Sequence, residues 1–447
     1  MLRIGCGAGF AADRIPPALV LAEKGNLDYL VFECLAERTI AAAQIQKQAH
    51  PELGYNEMLE ERFRQLLPIM RRQHFRVITN MGAANPLGGA KKIIQLAQEI
   101  GYPVKVAVVT GDDVFTLIDA DMPSMEYDRP VGAEGPLVSA NAYIGAEAIL
   151  PALKTDAQII ITGRAADPSL FLAPIVYHYG WRLDDWDRLA RGTVVGHLLE
   201  CSGQVTGGYF ADPGKKDVPD LANIGFPLAE VEEDGTAVIT KVEGTGGMVT
   251  LATVKEQFLY EISNPHGYIT PDVVADFTTT RIREAGKDRV EVAGTKGYPR
   301  TDTLKVSVGY QGGYMGVGRV VMAGPNAYAK AQLGAQVVLE QTKGLYRETR
   351  VDYLGLNAVH GEALSQGSAP YEIVLRMACK ADTLENATIF ARTVENLCLL
   401  GPAATGGLLR VVKPIVGIVS VLLPREQVKT DVTVLSTEEA QLEEAEA

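Results

Sequence analysis

The chain has 447 residues, 47% of them hydrophobic and 22% charged, so it can bury one large core or two smaller ones, and this composition excludes a disordered protein. A formal net charge of −13 argues against nucleic-acid binding, which relies on clustered Lys and Arg. We expect no secretory signal, because residues 1–4 lead straight into glycines and not into an apolar run. We expect no membrane contact, because no apolar run approaches the ~18 residues that a membrane span needs, and we expect the cytoplasm as the compartment.

The first half of the chain alternates short apolar runs with helical stretches, which predicts a mostly parallel sheet covered by helices on both faces. Each apolar run ends in a polar or Gly-rich loop that leads into a helix candidate, such as residues 91–100. Ligands of such sheets bind beyond the carboxyl ends of the strands, so these loops are the predicted binding region. Five strands are predicted, at residues 3–7, 28–33, 76–80, 104–109 and 158–162.

From about Gly235 the pattern of apolar and polar residues changes. Alternating apolar and polar residues at 236–242 and 303–310 predict strands of an antiparallel or mixed sheet. Helix candidates at 326–341 and 383–398 and a strand candidate at 372–378 complete a smaller α+β domain. The predicted organisation is an α/β ligand-binding or catalytic domain over 1–285, the α+β domain over 286–435 and an acidic tail over 436–447.

The first Gly-rich loop, at residues 5–10, opens an incomplete dinucleotide-binding fingerprint. Glu33 ends the next predicted strand, where an acid that binds a ribose would lie, but Phe10 occupies the position of the third glycine. The glycines are better explained as a tight turn into a helix that Asp13 can cap. A nucleotide-dependent oxidoreductase is therefore an alternative hypothesis.

The loop after the third strand, at residues 79–86, contains Asn80 and Asn85 among small residues. Small residues let a ligand approach backbone N–H groups, and carboxamides orient carbonyl or hydroxyl groups, so both are candidate substrate-binding residues. The alternative is that they stabilise a turn or cap the following helix.

The loop after the fifth strand contains Gly163, Arg164 and Asp167. An arginine at the mouth of a sheet can hold a carboxylate or phosphate through two parallel hydrogen bonds, so we predict that Arg164 anchors an anionic substrate, with Gly163 beside it in the binding loop. A structural ion pair with Glu33 is the alternative. Asp167 suits a helix N-cap with Pro168 at the first helical position, and it is also a candidate for proton transfer.

Residues 196–204 bring together His197, Glu200, Cys201 and Gln204. In a helix, His197 would share a face with Glu200 and Cys201. Such a cluster could transfer protons, attack as a thiolate or ligate a metal, or it could simply be a packed helix. A metal would need further ligands that no local motif supplies, so we predict no metal and favour proton transfer by Glu200 or His197.

At these residues the sequence resembles the acyclic terpene utilisation A family of bacteria and fungi. Arg14, Glu33 and Gln204 lie in the matching segments and join the candidate substrate-binding residues. The resemblance implies that a small separate subunit can complete the protein, and we expect a homo-oligomer. The segments span nearly all of residues 1–430 and comprise 7–10 with 13–14, 33–37, 79–86, 162–170, 196–214, 242–247, 253–257 and 270–273.

The family takes its name from the catabolism of citronellol and geraniol, in which a member has been proposed to cleave acetate from a branched 3-hydroxy-3-methylglutaryl-like CoA thioester. With the residues above, the resemblance implies a lyase or hydro-lyase that acts on a small branched hydroxy carboxylic acid or its CoA thioester. No cofactor is expected beyond such a thioester, which would itself be the substrate. A non-catalytic metabolite-binding subunit of a larger complex is the third hypothesis.

Overall fold

The computed structural model describes residues 1–361, 363–365 and 367–438, so residues 439–447 of the predicted acidic tail lie outside the described part. The strands are β1 (Leu2–Ala8), β2 (Tyr29–Phe32), β3 (Arg76–Thr79), β4 (Lys105–Thr110), β5 (Leu137–Ala142), β6 (Ile159–Thr162), β7 (Pro227–Val231), β8 (Ala237–Lys241), β9 (Tyr268–Ile269), β10 (Val274–Asp276), β11 (Arg281–Gly286), β12 (Arg289–Ala293), β13 (Lys296–Tyr298), β14 (Thr303–Ala323), β15 (Glu348–Leu354), β16 (Glu372–Ala381), β17 (Thr405–Pro424) and β18 (Asp431–Ser436). The helices are α1 (Ile15–Lys24), α2 (Glu37–Ala49), α3 (Leu59–Gln73), α4 (Pro86–Glu99), α5 (Ala146–Leu153), α6 (Asp167–Tyr179), α7 (Trp186–Leu199), α8 (Leu251–Leu259), α9 (Ala327–Gln341) and α10 (Leu384–Leu400).

The largest sheet has ten strands in the order β11-β12-β8-β7-β1-β2-β3-β6-β4-β18. Its centre, β1-β2-β3-β6-β4, is parallel and confirms the five predicted strands, whereas β7, β8, β11, β12 and β18 pair antiparallel. Successive side chains of each central strand enter opposite cores. In β3, Val77 packs in the core that contains Phe63 of α3, and Ile78 packs in the core that contains Leu170 of α6. Burial on both faces explains why these strands are continuous apolar runs.

The chain forms two compact units, and the division differs from the predicted boundary between residues 285 and 286. One unit comprises residues 1–133, 138–309 and the described residues from 418 on, and the other comprises residues 134–137 and 310–417. The predicted boundary falls inside the β11–β12 hairpin, and β12 pairs with β8 of the ten-stranded sheet. Antiparallel strands therefore already occur within the first unit. The alternation of apolar and polar residues predicts a strand but does not specify which sheet that strand joins.

The second unit confirms the smaller α+β fold. Its elements follow the order β14-α9-β15-β16-α10-β17, and its strands lie side by side as β15-β16-β14-β17. This is the βαββαβ arrangement of a ferredoxin-like split β-α-β fold. Val320 of β14, Leu375 of β16 and Phe390 of α10 lie in its buried core.

Candidate functional site

The predicted loops at the carboxyl ends of β2 and β3 are joined by a side-chain hydrogen bond. Asn80 Nδ2 donates to Glu33 Oε1 at 2.9 Å, and Asn80 Oδ1 accepts from the N–H of Cys34 at 2.7 Å. Glu33 Oε1 also accepts from the N–H of Leu35 at 2.9 Å. Both ends of the Asn80 carboxamide therefore bind the protein, and Asn80 holds Glu33 in position.

Arg164 follows β6 and lies almost completely buried, with 2% of its side chain exposed. Its Nη1 lies 2.7 Å from Asp167 Oδ1 and also donates to the carbonyl of Leu35, while its Cζ lies 4.1 Å from the centre of the Tyr143 ring. The Nε atom has no hydrogen-bond partner among the described residues. The ion pair that forms is with Asp167 and not with Glu33. Substrate anchoring by Arg164 stays a prediction.

Asp167 was expected to cap α6, and the structure corrects this. The N-cap is Ala166, whose side chain makes no capping hydrogen bond, and Asp167 is the first helical residue. Its carboxylate binds Arg164 three residues earlier in the chain. Because a third of the Asp167 side chain is exposed and lines a cavity, this carboxylate is available to a ligand.

Gly163 accommodates a carboxylate of the protein itself. A Cβ atom at this position would lie 2.3 Å from Asp112 Oδ1, far inside van der Waals contact. Asp112 follows β4 and accepts hydrogen bonds from the N–H of Arg164 at 2.8 Å and from Asn141 Nδ2 at 2.9 Å. Burial raises the pKa of Asp112 to about 6. The close approach that the glycine permits is thus explained without a ligand.

His197 and Glu200 form a buried pair at the end of α7. His197 Nδ1 lies 3.2 Å from Glu200 Oε1, which confirms the proximity predicted for a helical segment. On its other side, His197 Nε2 lies 3.0 Å from the carbonyl oxygen of Gln257. A carbonyl can only accept, so Nε2 carries a hydrogen, and Nδ1 faces the Glu200 carboxyl group.

Two carboxyl groups of this region have a pKa above the usual value. Burial, and then the negative charge of Asp167, raises the pKa of Glu33 well above its usual value. Burial also raises the pKa of Glu200, and His197 partly opposes the shift. Carboxyl groups whose pKa is raised by burial and neighbouring charge are typical of general acids in enzymes.

A cavity of about 360 Å³ lies beside Asp167. Its walls are largely apolar, and its polar lining includes Tyr143, Tyr268 and Lys305. Lys305 Nζ lies 3.5 Å from Glu37 Oε1, and Glu37 also accepts a hydrogen bond from the Tyr143 hydroxyl. With 42% of its side chain exposed, Lys305 presents a cation that a ligand in the cavity can reach.

Tyr268 connects this cavity with the buried pair. Its ring lines the cavity, and the ring centre lies 5.7 Å from that of His197 and 5.1 Å from that of Phe277. Burial, and then the charge of Glu200, raises the pKa of Tyr268 well above its usual value, so the phenol stays neutral and can donate a hydrogen bond.

Three residues of this site, Tyr143, Tyr268 and Lys305, were not predicted from the sequence. Lys305 lies at one of the alternating polar positions of the predicted strand at 303–310. Because successive side chains of a strand point to opposite faces, this pattern predicts an outward-facing cation. Tyr143 and Tyr268 follow no motif that marks them, and only the tertiary structure brings them to the cavity.

Four other predicted residues have different environments. Burial, and then the charge of Glu200, raises the pKa of the Cys201 thiol, which opposes thiolate formation. Asn85 caps α4 by accepting from the N–H of Gly88 at 3.0 Å. Gln204 ends a short 3-10 helix, and its carboxamide makes no hydrogen bond within the described part of the chain. Arg14 lines a different cavity, beside α1.

Two general features of the described residues bear on the class of site. No group of three or more His, Cys, Asp or Glu side chains within residues 1–361, 363–365 and 367–438 is arranged to hold a metal ion. None of the helices in these ranges has the length and apolarity to cross a membrane.

Comparison with known proteins identifies the family. A family model described as acyclic terpene utilisation family protein AtuA matches residues 2–434, nearly the whole chain. No curated protein matches the sequence, and no solved structure matches the fold. Since the family model covers both compact units, the chain belongs to the acyclic terpene utilisation AtuA family.

Proposed function

We propose that this protein is a lyase or hydro-lyase that acts on a small branched hydroxy carboxylic acid or its CoA thioester during catabolism. The family assignment supports the metabolic context of acyclic terpene utilisation. The observation that carries the proposal is the placement of Asp167 and Tyr268 in one cavity wall, with the His197–Glu200 pair behind the tyrosine. Asp167 as a base and the neutral Tyr268 hydroxyl as a hydrogen-bond donor thereby line one apolar cavity, and Glu200 lies behind the tyrosine as a source of a proton.

The cavity suits a branched carbon chain that bears an anionic group. Met125, Pro271 and Leu422 supply apolar wall, and Lys305 supplies the exposed cation. Apolar walls with few oriented polar groups are characteristic of small-molecule sites. We assign the substrate carboxylate or thioester to the Lys305 side of the cavity, with Arg164 behind Asp167.

The proposed chemistry takes one proton from the substrate and returns one. In a dehydration, Asp167 accepts the proton from carbon, the C–O bond breaks, and the acid group protonates the departing hydroxyl to give water. In a C–C cleavage, Asp167 accepts the hydroxyl proton, the C–C bond breaks, and the acid group protonates the resulting carbanion. In both cases the proton comes from Glu200 and reaches the reacting group through the Tyr268 hydroxyl, because Tyr268 lines the cavity and Glu200 lies behind it.

Turnover and binding can be separated with one variant. Glu200→Gln should abolish turnover of 3-hydroxy acids and their CoA thioesters, followed by mass spectrometry of the products, while the ligand still raises the melting temperature. The matched control is Glu232→Gln, because Glu232 is exposed. Unchanged turnover in Glu200→Gln would remove Glu200 from the mechanism.

A non-catalytic metabolite-binding subunit is the second candidate. It is favoured by the extent to which Asn80, Glu33 and Arg164 are already engaged with protein groups. Saturable binding without turnover, in the purified chain and in any complex that co-purifies from the native host, would support it.

The oxidoreductase alternative lacks support at the first Gly-rich loop. A Cβ atom at Gly7 would lie 2.5 Å from the Phe32 ring, and one at Gly9 would lie 2.5 Å from the backbone of Cys201. These glycines are therefore explained by internal packing. A nicotinamide or flavin nucleotide that raised the melting temperature would restore this alternative.

A further inference from the structure

A second cavity of about 460 Å³ extends along one face of α1. We call it the α1 groove. Pro17, Val20 and Lys24 contribute from the helix, where a spacing of three to four residues places side chains on one face. Phe226 and Val242 contribute from the opposite wall, so the middle of the groove is apolar.

The two charged residues that line this groove are both cations. Arg14 and Lys24 are exposed, no Asp or Glu is among the lining residues, and neither cation forms an ion pair within the described part of the chain. Arg14 Nη1 donates to the carbonyl of Ala222 at 3.0 Å. In a chain with a formal net charge of −13, a groove whose lining contains two cations and no acid is suited to an anionic ligand.

The positions of the cations define the shape of the ligand. Arg14 precedes the first residue of α1 and Lys24 is its last residue, so their backbone positions are about 15 Å apart at 1.5 Å per residue. Most residues that line the groove between them are apolar, and Asn223 and Thr245 are polar. A ligand that satisfies both cations therefore has an anionic group at each end and an apolar body between.

We infer that the α1 groove binds an elongated organic dianion, of the class of medium-chain dicarboxylates, at a site separate from the cavity beside Asp167. The inference stands independently of the proposed reaction. The groove also adjoins the candidate site from behind, because Asp13, next to Arg14, accepts a hydrogen bond from Ser202 Oγ at 2.7 Å. Phe226 of the groove wall faces Gly203 in the same segment. A ligand in the groove would thus contact Phe226, which packs against the segment that follows Glu200.

The test measures binding of decanedioate, decanoate and succinate to the full chain by isothermal titration calorimetry. Decanedioate should bind with one site per chain and more tightly than the other two, since only a long dianion reaches both cations. Arg14→Gln and Lys24→Gln should each weaken decanedioate binding about tenfold, the size expected for one charge-assisted contact. Lys154→Gln, which removes an exposed cation outside the groove, should leave it unchanged.

Other results would overturn the inference. These are the absence of decanedioate binding at millimolar concentration, equal affinity for decanoate, or an unchanged affinity in both Arg14→Gln and Lys24→Gln. Asp167→Asn separates the two sites, because it should affect ligands of the cavity and leave decanedioate binding intact. If Asp167→Asn alone weakened decanedioate binding, the dianion would occupy the proposed catalytic cavity and not the groove.

Discussion

Asp167 Oδ1 lies 2.7 Å from Nη1 of Arg164, and this ion pair determines the character of the candidate site. The guanidinium is 2% exposed, whereas a third of the Asp167 side chain is exposed. The buried cation therefore holds a carboxylate at the cavity wall, and the carboxylate faces any ligand first. The pair joins the β6 loop to the first turn of α6, so its geometry is set by the backbone of both elements.

Asp167→Asn should lower the free energy of unfolding because it leaves Arg164 buried without its anionic partner. We expect a loss of about 1–3 kcal/mol, below the ~3–5 kcal/mol of a fully buried pair because Asp167 is partly exposed. Urea unfolding measures the loss. Asp184→Asn is the matched control, since the Arg182–Asp184 contact is 2.6 Å, close to the 2.7 Å of the Arg164–Asp167 pair, but both side chains are more than half exposed. Equal losses in the two variants would contradict the role assigned to burial.

Asp112→Asn should change the pH dependence of stability. The pKa of Asp112 is raised to about 6 from 3.8, so folding favours the protonated form, and the stability that this group contributes is present below about pH 4 and lost as the pH rises through 6. The asparagine does not titrate. The free energy of unfolding of the variant, relative to the unmodified chain, should therefore rise by roughly 1–3 kcal/mol between pH 4 and pH 7. A difference that stays constant over this range would refute the assignment.

Gly163→Ala should destabilise the protein by about 1–3 kcal/mol, because the new methyl group meets the Asp112 carboxylate at 2.3 Å and displaces it from the Arg164 N–H. Thermal unfolding checks this. Gly406→Ala is the control, since a Cβ atom there meets nothing within 4 Å and the backbone lies outside the left-handed region. If both alanines have the same effect, Gly163 is not required by packing.

Tyr268→Phe should retain the packing of the ring on His197 and Phe277 while it removes the hydroxyl from the cavity. If Tyr268 assists proton transfer, kcat falls at least about 10-fold and the melting temperature stays nearly constant. Positioned acid–base groups contribute ~10²–10⁴-fold. The control is Tyr298→Phe, because Tyr298 is 49% exposed. An unchanged kcat would limit Tyr268 to a structural role.

Local patterns were sufficient for the main elements of the fold. The apolar run of β6 lies within the predicted 158–162, and α9 and α10 begin one residue after the predicted starts at 326 and 383. Such features depend on residues close in the chain, because strand burial, helix periodicity and capping act over a few positions. The proximity of His197 and Glu200 was predictable for the same reason, since three residues of helix bring them together.

The remaining features of the site were decided by contacts between distant parts of the chain. Tyr143 and Lys305 meet because the N–H of Tyr143 donates to the carbonyl of Lys305 at 2.9 Å, 162 residues further along. Asp167 pairs with Arg164 instead of capping α6, because a buried charge without a partner costs more than a helix end without a side-chain cap. The sequence by itself determined the parallel sheet, its Gly-rich strand ends and the proximity of His197 to Glu200. The tertiary structure decided which cation faces the cavity and placed Arg14 in a separate groove, because long-range packing, and not local propensity, selects the partners of polar side chains.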